Sequence, residues 1–131
     1  MKTHRQALGA WGENQAAEYL QERSYTILER NARTPYGELD LVASQPMPRI
    51  GDQPAGQVVV FIEVKTRRSQ AYGLPEEAVT ERKKAHLLAA AQAYLQAHPE
   101  LEGDWRVDVV AVEHTSADQE PVITHFENVI T

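Results

Sequence analysis

Val58-Val59-Val60-Phe61-Ile62-Glu63-Val64-Lys65 is the stretch that decides the fold of this 131-residue chain. Its first five residues form an unbroken apolar, mostly β-branched run, the composition of a strand buried on both faces. A carboxylate and an ammonium follow at i and i+2. In a strand they share a face, roughly 6.6 Å apart along the chain. Ending a buried strand in a charged pair costs several kcal/mol of desolvation unless something compensates. A metal ion with a phosphate oxygen would do so.

Glu38-Leu39-Asp40-Leu41-Val42 has the same form. Strand alternation places Glu38, Asp40 and Val42 on one face and Leu39, Leu41 and Ala43 on the other, which reads as core. Between the two strands, Ser44 to Gln57 is polar and holds Pro46, Pro48, Gly51, Pro54 and Gly56, the composition of a hairpin loop. Antiparallel pairing across it brings Asp40 nearly opposite Glu63. Two carboxylates and Lys65 then converge on one patch of sheet. All-oxygen donors of this kind suit Mg²⁺ or Mn²⁺, which take only one or two protein carboxylates and keep several waters.

A third acid comes from the N-terminal segment. His4 to Arg23 has helical periodicity, with Leu8, Gly9, Ala10, Gly12, Ala16, Ala17, Tyr19 and Leu20 on one apolar or small-residue arc. Glu13 lies inside that arc, where a carboxylate is either paired or functional. Gly9 and Gly12 cost helix stability, roughly 1 kcal/mol each relative to Ala, and close packing on a sheet would account for both.

The order helix Glu13, strand Asp40, strand Glu63-x-Lys65 resembles the PD-(D/E)xK restriction-endonuclease-like nucleases, and within them the short archaeal Holliday-junction resolvases. Gly12-Glu13, Asn31, Gly37-Glu38-Leu39-Asp40-Leu41-Val42, Phe61 to Arg67, Lys83 and Arg106-Val107-Asp108-Val109-Val110 further resemble the bacterial YraN-type proteins, which are small, widespread and functionally uncharacterised. The likeness runs from about Ala7 to about Val112. Glu-x-Lys alone is a weak signal; the motifs are specific in combination. The resemblance implies a restriction-endonuclease-like α/β fold and a metal-dependent DNA endonuclease selective for branched or unusual structure. In it Asp40 and Glu63 hold Mg²⁺ or Mn²⁺ with the Val64 carbonyl, Glu13 binds directly or through water, and Lys65 serves the attacking water or the phosphate. Arg67, Arg68 and Lys83 would contact phosphates, with Tyr72, in a basic loop, as the stacking residue. RNA is an alternative substrate. A homodimer is expected, because symmetric cutting of two strands needs two sites. One departure stands out: no proline precedes Asp40, and Glu38 stands two residues before it, either as an extra metal ligand or as a supporting acceptor.

Simpler readings stand beside these. Glu63 and Lys65 could be a cross-strand ion pair at a sheet end. Glu13 could pair with Lys65 or Arg67, or sit at an exposed helix end. Glu38 could be solvated after a turn. Lys83, between Arg82 and Lys84, could belong to a wet helix face. Arg106 and Asp108 read as a structural ion pair. The five histidines show no metal-ligand spacing and read as surface residues, and Trp11 and Trp105 read as packing. The alternative function is a non-catalytic nucleic-acid-binding or adaptor protein on a nuclease-like fold.

Composition fits one domain spanning 1–131, with 42% hydrophobic residues and no cysteine. No apolar stretch reaches membrane-spanning length and Met1 to Arg5 is polar, so a cytoplasmic location and no membrane partner are expected. The net charge of −6 argues against tight generic nucleic-acid binding and for weak or structure-selective binding. The remaining elements are a strand at Tyr25 to Arg30, a turn at Asn31 to Tyr36, a polar loop at Arg67 to Gly73, and a helical region from Pro75. A helix then runs from an N-cap at Thr80 to about His98, with Leu88, Ala91 and Leu95 as its core stripe and Ala85, Leu87 and Tyr94 beside it. Strands at Trp105 to Glu113 and Val122 to Phe126 complete a mixed sheet flanked by helices.

Overall fold

The computed structural model describes residues 4–53, 55–68, 80–116 and 119–130. Met1 to Thr3, Tyr72, Pro75 and the Ser69–Gly73 part of the expected loop lie outside them. The elements are α1 (His4–Glu22), β1 (Thr26–Thr34), β2 (Gly37–Pro46), β3 (Gln57–Arg67), α2 (Glu81–Ala97), β4 (Trp105–Glu113) and β5 (Val122–Phe126). The strands form one five-stranded sheet in chain order. Three neighbouring pairs are antiparallel, and β3 and β4 run parallel. A parallel pair needs a crossover connection, which α2 provides. The sheet is therefore mixed, with helices against it, as the sequence pattern requires.

Its two faces carry separate cores. Ala16, Ala17 and Leu20 of α1 pack with Leu41, Ala43, Val60, Ile62, Val110 and Val112. Leu87, Ala90, Ala91 and Tyr94 of α2 pack with Val42, Val59, Phe61 and Val107 on the other face. The run Val58 to Ile62 alternates strictly between the two, which is why every one of its residues is apolar. No helix among the described residues is long and apolar enough to cross a membrane.

Several local expectations change. Asn31 to Thr34 continue β1, and the turn is confined to Pro35 and Tyr36. Asn31 adopts φ +53 within the strand, a conformation that Asn tolerates better than most residues. Leu39 packs with Ala32 and Val42 on the α2 side, away from Leu41 and Ala43. The alternation breaks at Asp40, whose side chain takes a backbone hydrogen bond from β3. On α2 the buried stripe is Leu87, Ala90, Ala91 and Tyr94; Leu88 and Leu95 are half-buried and Ala85 is exposed. Thr80 caps the helix as expected, its Oγ1 accepting the Lys83 N–H at 3.1 Å.

Gly12 meets Thr66 of β3 so closely that a Cβ could not be placed there without displacing it. The close approach of helix to sheet is therefore made at Gly12. Gly9 faces open space, and packing does not account for it.

Candidate functional site

The ladder between β2 and β3 runs from Pro46↔Gln57 to Leu41↔Ile62. One residue further on each strand stand Asp40 and Glu63, at the mouth where the strands part. Asp40 Oδ2 accepts the Val64 N–H at 2.8 Å. Glu63 is 7% exposed, although it is charged. Burial, the Glu63 charge and the more distant Glu13 charge push the Asp40 carboxyl up to about 7, against the opposing pull of the Val64 N–H. A hydrogen bond with Glu63 adds to the rise. The two carboxylates meet as the hairpin register predicts.

Two ammonium groups attend Glu63. Lys65 Nζ lies 3.5 Å from Glu63 Oε1, as their shared strand face requires. Lys83 Nζ, from the first turn of α2, is nearer at 2.8 Å. Lys83 therefore leaves the Arg82–Lys84 charge run to join the carboxylates, while Lys84 pairs with Glu81 at 3.5 Å. The Thr80 cap fixes where that first turn begins.

Glu13 and Glu38 are joined through Asn31. With its amide turned so that nitrogen faces the acids, Asn31 donates to Glu13 Oε1 at 2.8 Å and to Glu38 Oε1 at 3.0 Å. Arg30 Nη2 also donates to the Glu13 carbonyl at 3.3 Å. Glu13 is half-buried and Glu38 exposed. Asn31, expected in a turn, lies in β1 and joins the two acids; its place in the motif set is the signal that points to it. Arg67 ends β3 and Arg68 follows it in a bend, and Tyr72 lies outside the described residues.

Asp40 and Glu63, with the Val64 carbonyl, are hard oxygen donors suited to Mg²⁺ or Mn²⁺. Among the described residues, no three His, Cys, Asp or Glu side chains converge as a metal-binding cluster. Two carboxylates are enough for an ion that keeps most of its waters, and crowded like charges with a raised pKa are what a cation relieves.

A second polar cluster lies under α1. Asp108 is fully buried and accepts from Arg106 Nε at 3.0 Å, His125 Nε2 at 2.8 Å and the Asn128 N–H at 2.9 Å. Arg106 Nη2 also donates to the Tyr25 hydroxyl at 2.7 Å. Burial works against the Asp108 carboxylate, but the bonds from His125, Arg106 and Asn128 outweigh it and hold its pKa below the usual value. Arg106 and Asp108 thus form the expected structural pair. His125 is a correction: its side chain is 8% exposed, taken inward by Asp108. His98 stacks on Tyr94 and His114 packs on Trp11, so both are half-buried; His86 is exposed.

Fold and site together define a small α/β protein with a carboxylate–lysine centre at the mouth of a hairpin. Residues 12–112 match the Uncharacterised protein family UPF0102, and the chain belongs to that family. A UPF0102 protein of Dehalococcoides mccartyi is 43% identical over 113 residues, covering 86% of this chain and 85% of the relative. One from Syntrophomonas wolfei is 48% identical over 105 residues, covering 80% and 83%. One from Roseiflexus castenholzii is 41% identical over 128 residues, covering 96% and 94%.

Proposed function

We propose that this protein is a Mg²⁺- or Mn²⁺-dependent DNA endonuclease of the PD-(D/E)xK, restriction-endonuclease-like type, selective for branched or otherwise unusual DNA. The observation that carries the reading is the Asp40–Glu63 pair, a half-buried and a buried carboxylate at the end of an apolar hairpin, with Lys65 beside it. Buried like charges destabilise a fold, and a site that keeps them has a use for a cation.

Asp40 and Glu63 would hold the ion, with the Val64 carbonyl as a further donor and Glu13 acting through water. When bound, such an ion polarises a phosphoryl oxygen and lowers the pKa of water. Lys65 positions or deprotonates the attacking water, or offsets charge developing on the phosphate. Asn31 holds Glu13 toward the centre and ties it to Glu38, which leaves Glu38 a supporting role. Arg67, Arg68 and Lys83 bring positive charge to the phosphates on either side.

The Lys83–Glu63 contact at 2.8 Å favours a second reading, in which lysines neutralise the carboxylates and the protein is a non-catalytic nucleic-acid-binding adaptor. One assay separates the two. Purified protein with Mg²⁺ or Mn²⁺ is incubated with duplex, single-stranded, flap and four-way-junction DNA and the matching RNAs. Cleavage of a structured DNA that Glu63→Ala abolishes supports the nuclease. Preferential cleavage of RNA would replace the substrate, and binding unchanged in EDTA with no cleavage would replace the nuclease with the adaptor. A junction-cutting enzyme should also be a homodimer; a monomer mass by light scattering, with and without DNA, would remove that assembly.

A further inference from the structure

Beyond the carboxylates, β3 ends beside a cavity of about 340 Å³ lined by Ala7, Leu8, Trp11, Arg68 and His114. That volume is within the range of small-ligand pockets. Trp11 is half-buried and makes an edge contact with His114, with centroids 5.1 Å apart and planes at 80°. Both residues also line a neighbouring cavity of about 430 Å³ whose rim includes Glu18 and Glu120. The indole therefore stands between an apolar slot closed by an arginine and a polar slot carrying two acids.

We propose that the first slot binds one unstacked base of single-stranded DNA, with Trp11 as the stacking surface and Arg68 against the adjoining phosphate. The proposal rests on the nucleic-acid reading above and names a subsite away from the carboxylates. Charge complementarity selects the occupant. Arg68 is the only charged side chain among the described residues lining this slot, and it lies one residue beyond the end of β3. An anionic strand is attracted on this side and repelled by Glu18 and Glu120 on the other, so the backbone is directed toward β3. Aromatic stacking tolerates any base, so the slot would select unpaired structure over sequence.

The test uses the full chain in EDTA, so that neither metal nor cleavage enters. Trp105→Phe leaves Trp11 as the only indole, and its emission is followed while a short oligothymidylate is added. Quenching that saturates with binding is expected. Trp11→Ala should weaken binding about 5- to 100-fold, Trp11→Phe should retain most of the affinity, and Arg68→Ala should lower the salt slope by about one charge. Thermal melting checks that each variant folds; if Trp11→Ala does not, quenching and Trp11→Phe carry the test. Duplex DNA of the same length should quench little. Saturable binding without quenching, an unchanged affinity in Trp11→Ala, or equal quenching by duplex would overturn the proposal, as would a preference for the matching RNA. Quenching without any cleavage in the metal assay would sink the nuclease and leave the slot standing; cleavage without quenching would do the reverse.

Discussion

The cation closest to Glu63 comes from another element: Lys83 Nζ on α2 is 2.8 Å from Glu63 Oε1, whereas Lys65 Nζ on the same strand is 3.5 Å away. Glu63 thereby ties α2 to the end of β3, and Lys83 occupies an oxygen that a divalent ion would use. On the proposed function, the lysine and the ion would compete for one acceptor.

Lys83→Met should therefore tighten Mn²⁺ binding, by about 5-fold if this half-exposed pair is worth about 1 kcal/mol. Calorimetric titration of Mn²⁺ into wild type and variant checks it. An unchanged or weaker affinity would show that the ammonium does not compete. DNA affinity in Ca²⁺ should fall modestly in the same variant, since a positive charge is lost.

If the proposed function holds, Lys65→Ala and Glu63→Ala should reduce cleavage far more than DNA affinity, because one group would act mainly in the transition state and the other would hold the ion. Glu63→Ala would even tighten DNA binding by removing a negative charge near the phosphate. Affinity measured in Ca²⁺ and single-turnover cleavage measured in Mg²⁺ separate the two quantities. Equal losses in Lys65→Ala would make it a binding residue only.

The pH dependence of stability should carry two opposite signatures. Asp40 is raised from 3.8 to about 7, so between those values the folded state holds more protons than the unfolded one. Its contribution to stability is present at low pH and is lost as pH rises toward 7. Asp108 is lowered, so its contribution is present above the ordinary carboxylate pKa and is lost as pH falls through the folded value. Metal-free protein should be most stable on the acid side of neutrality, and Asp40→Asn should flatten the fall between pH 4 and 7. Urea denaturation across pH checks both. Mn²⁺ binding below pH 7 should release protons, measurable as a buffer-dependent heat.

Gly12→Ala should destabilise the fold even though alanine favours a helix by about 1 kcal/mol. The added methyl meets Thr66 on β3, and overpacking of this kind costs about 1–3 kcal/mol. Gly9→Ala, facing open space, should be neutral or stabilising. Equal denaturation midpoints for the two variants would refute the close approach at Gly12.

Much was legible because it is local. The two-faced burial of Val58 to Ile62 follows from composition, and the shared face of Glu63 and Lys65 follows from strand period. The meeting of Asp40 with Glu63 needed only one further inference, the hairpin register. The Thr80 cap and the bounds of β4 and β5 were equally local.

Tertiary structure decided what depends on elements remote in sequence. Lys83 looks like its neighbours Arg82 and Lys84 until the packing of α2 points it at Glu63. Asn31 looks like a turn residue until α1 and β2 bring two carboxylates to its amide. His125 looks like a surface histidine until β5 pairs with β4 beside the buried Asp108. Leu39 looks like a companion of Leu41 until it packs with Ala32 and Val42 on the other face, next to an Asp40 whose side chain takes the Val64 N–H. Sequence by itself determines which residues prefer a strand, a helix or burial, because those preferences belong to single residues and short periods. The partner of a charged or polar group is set by which distant surfaces pack together, and that is decided only when the sheet assembles with α1 and α2.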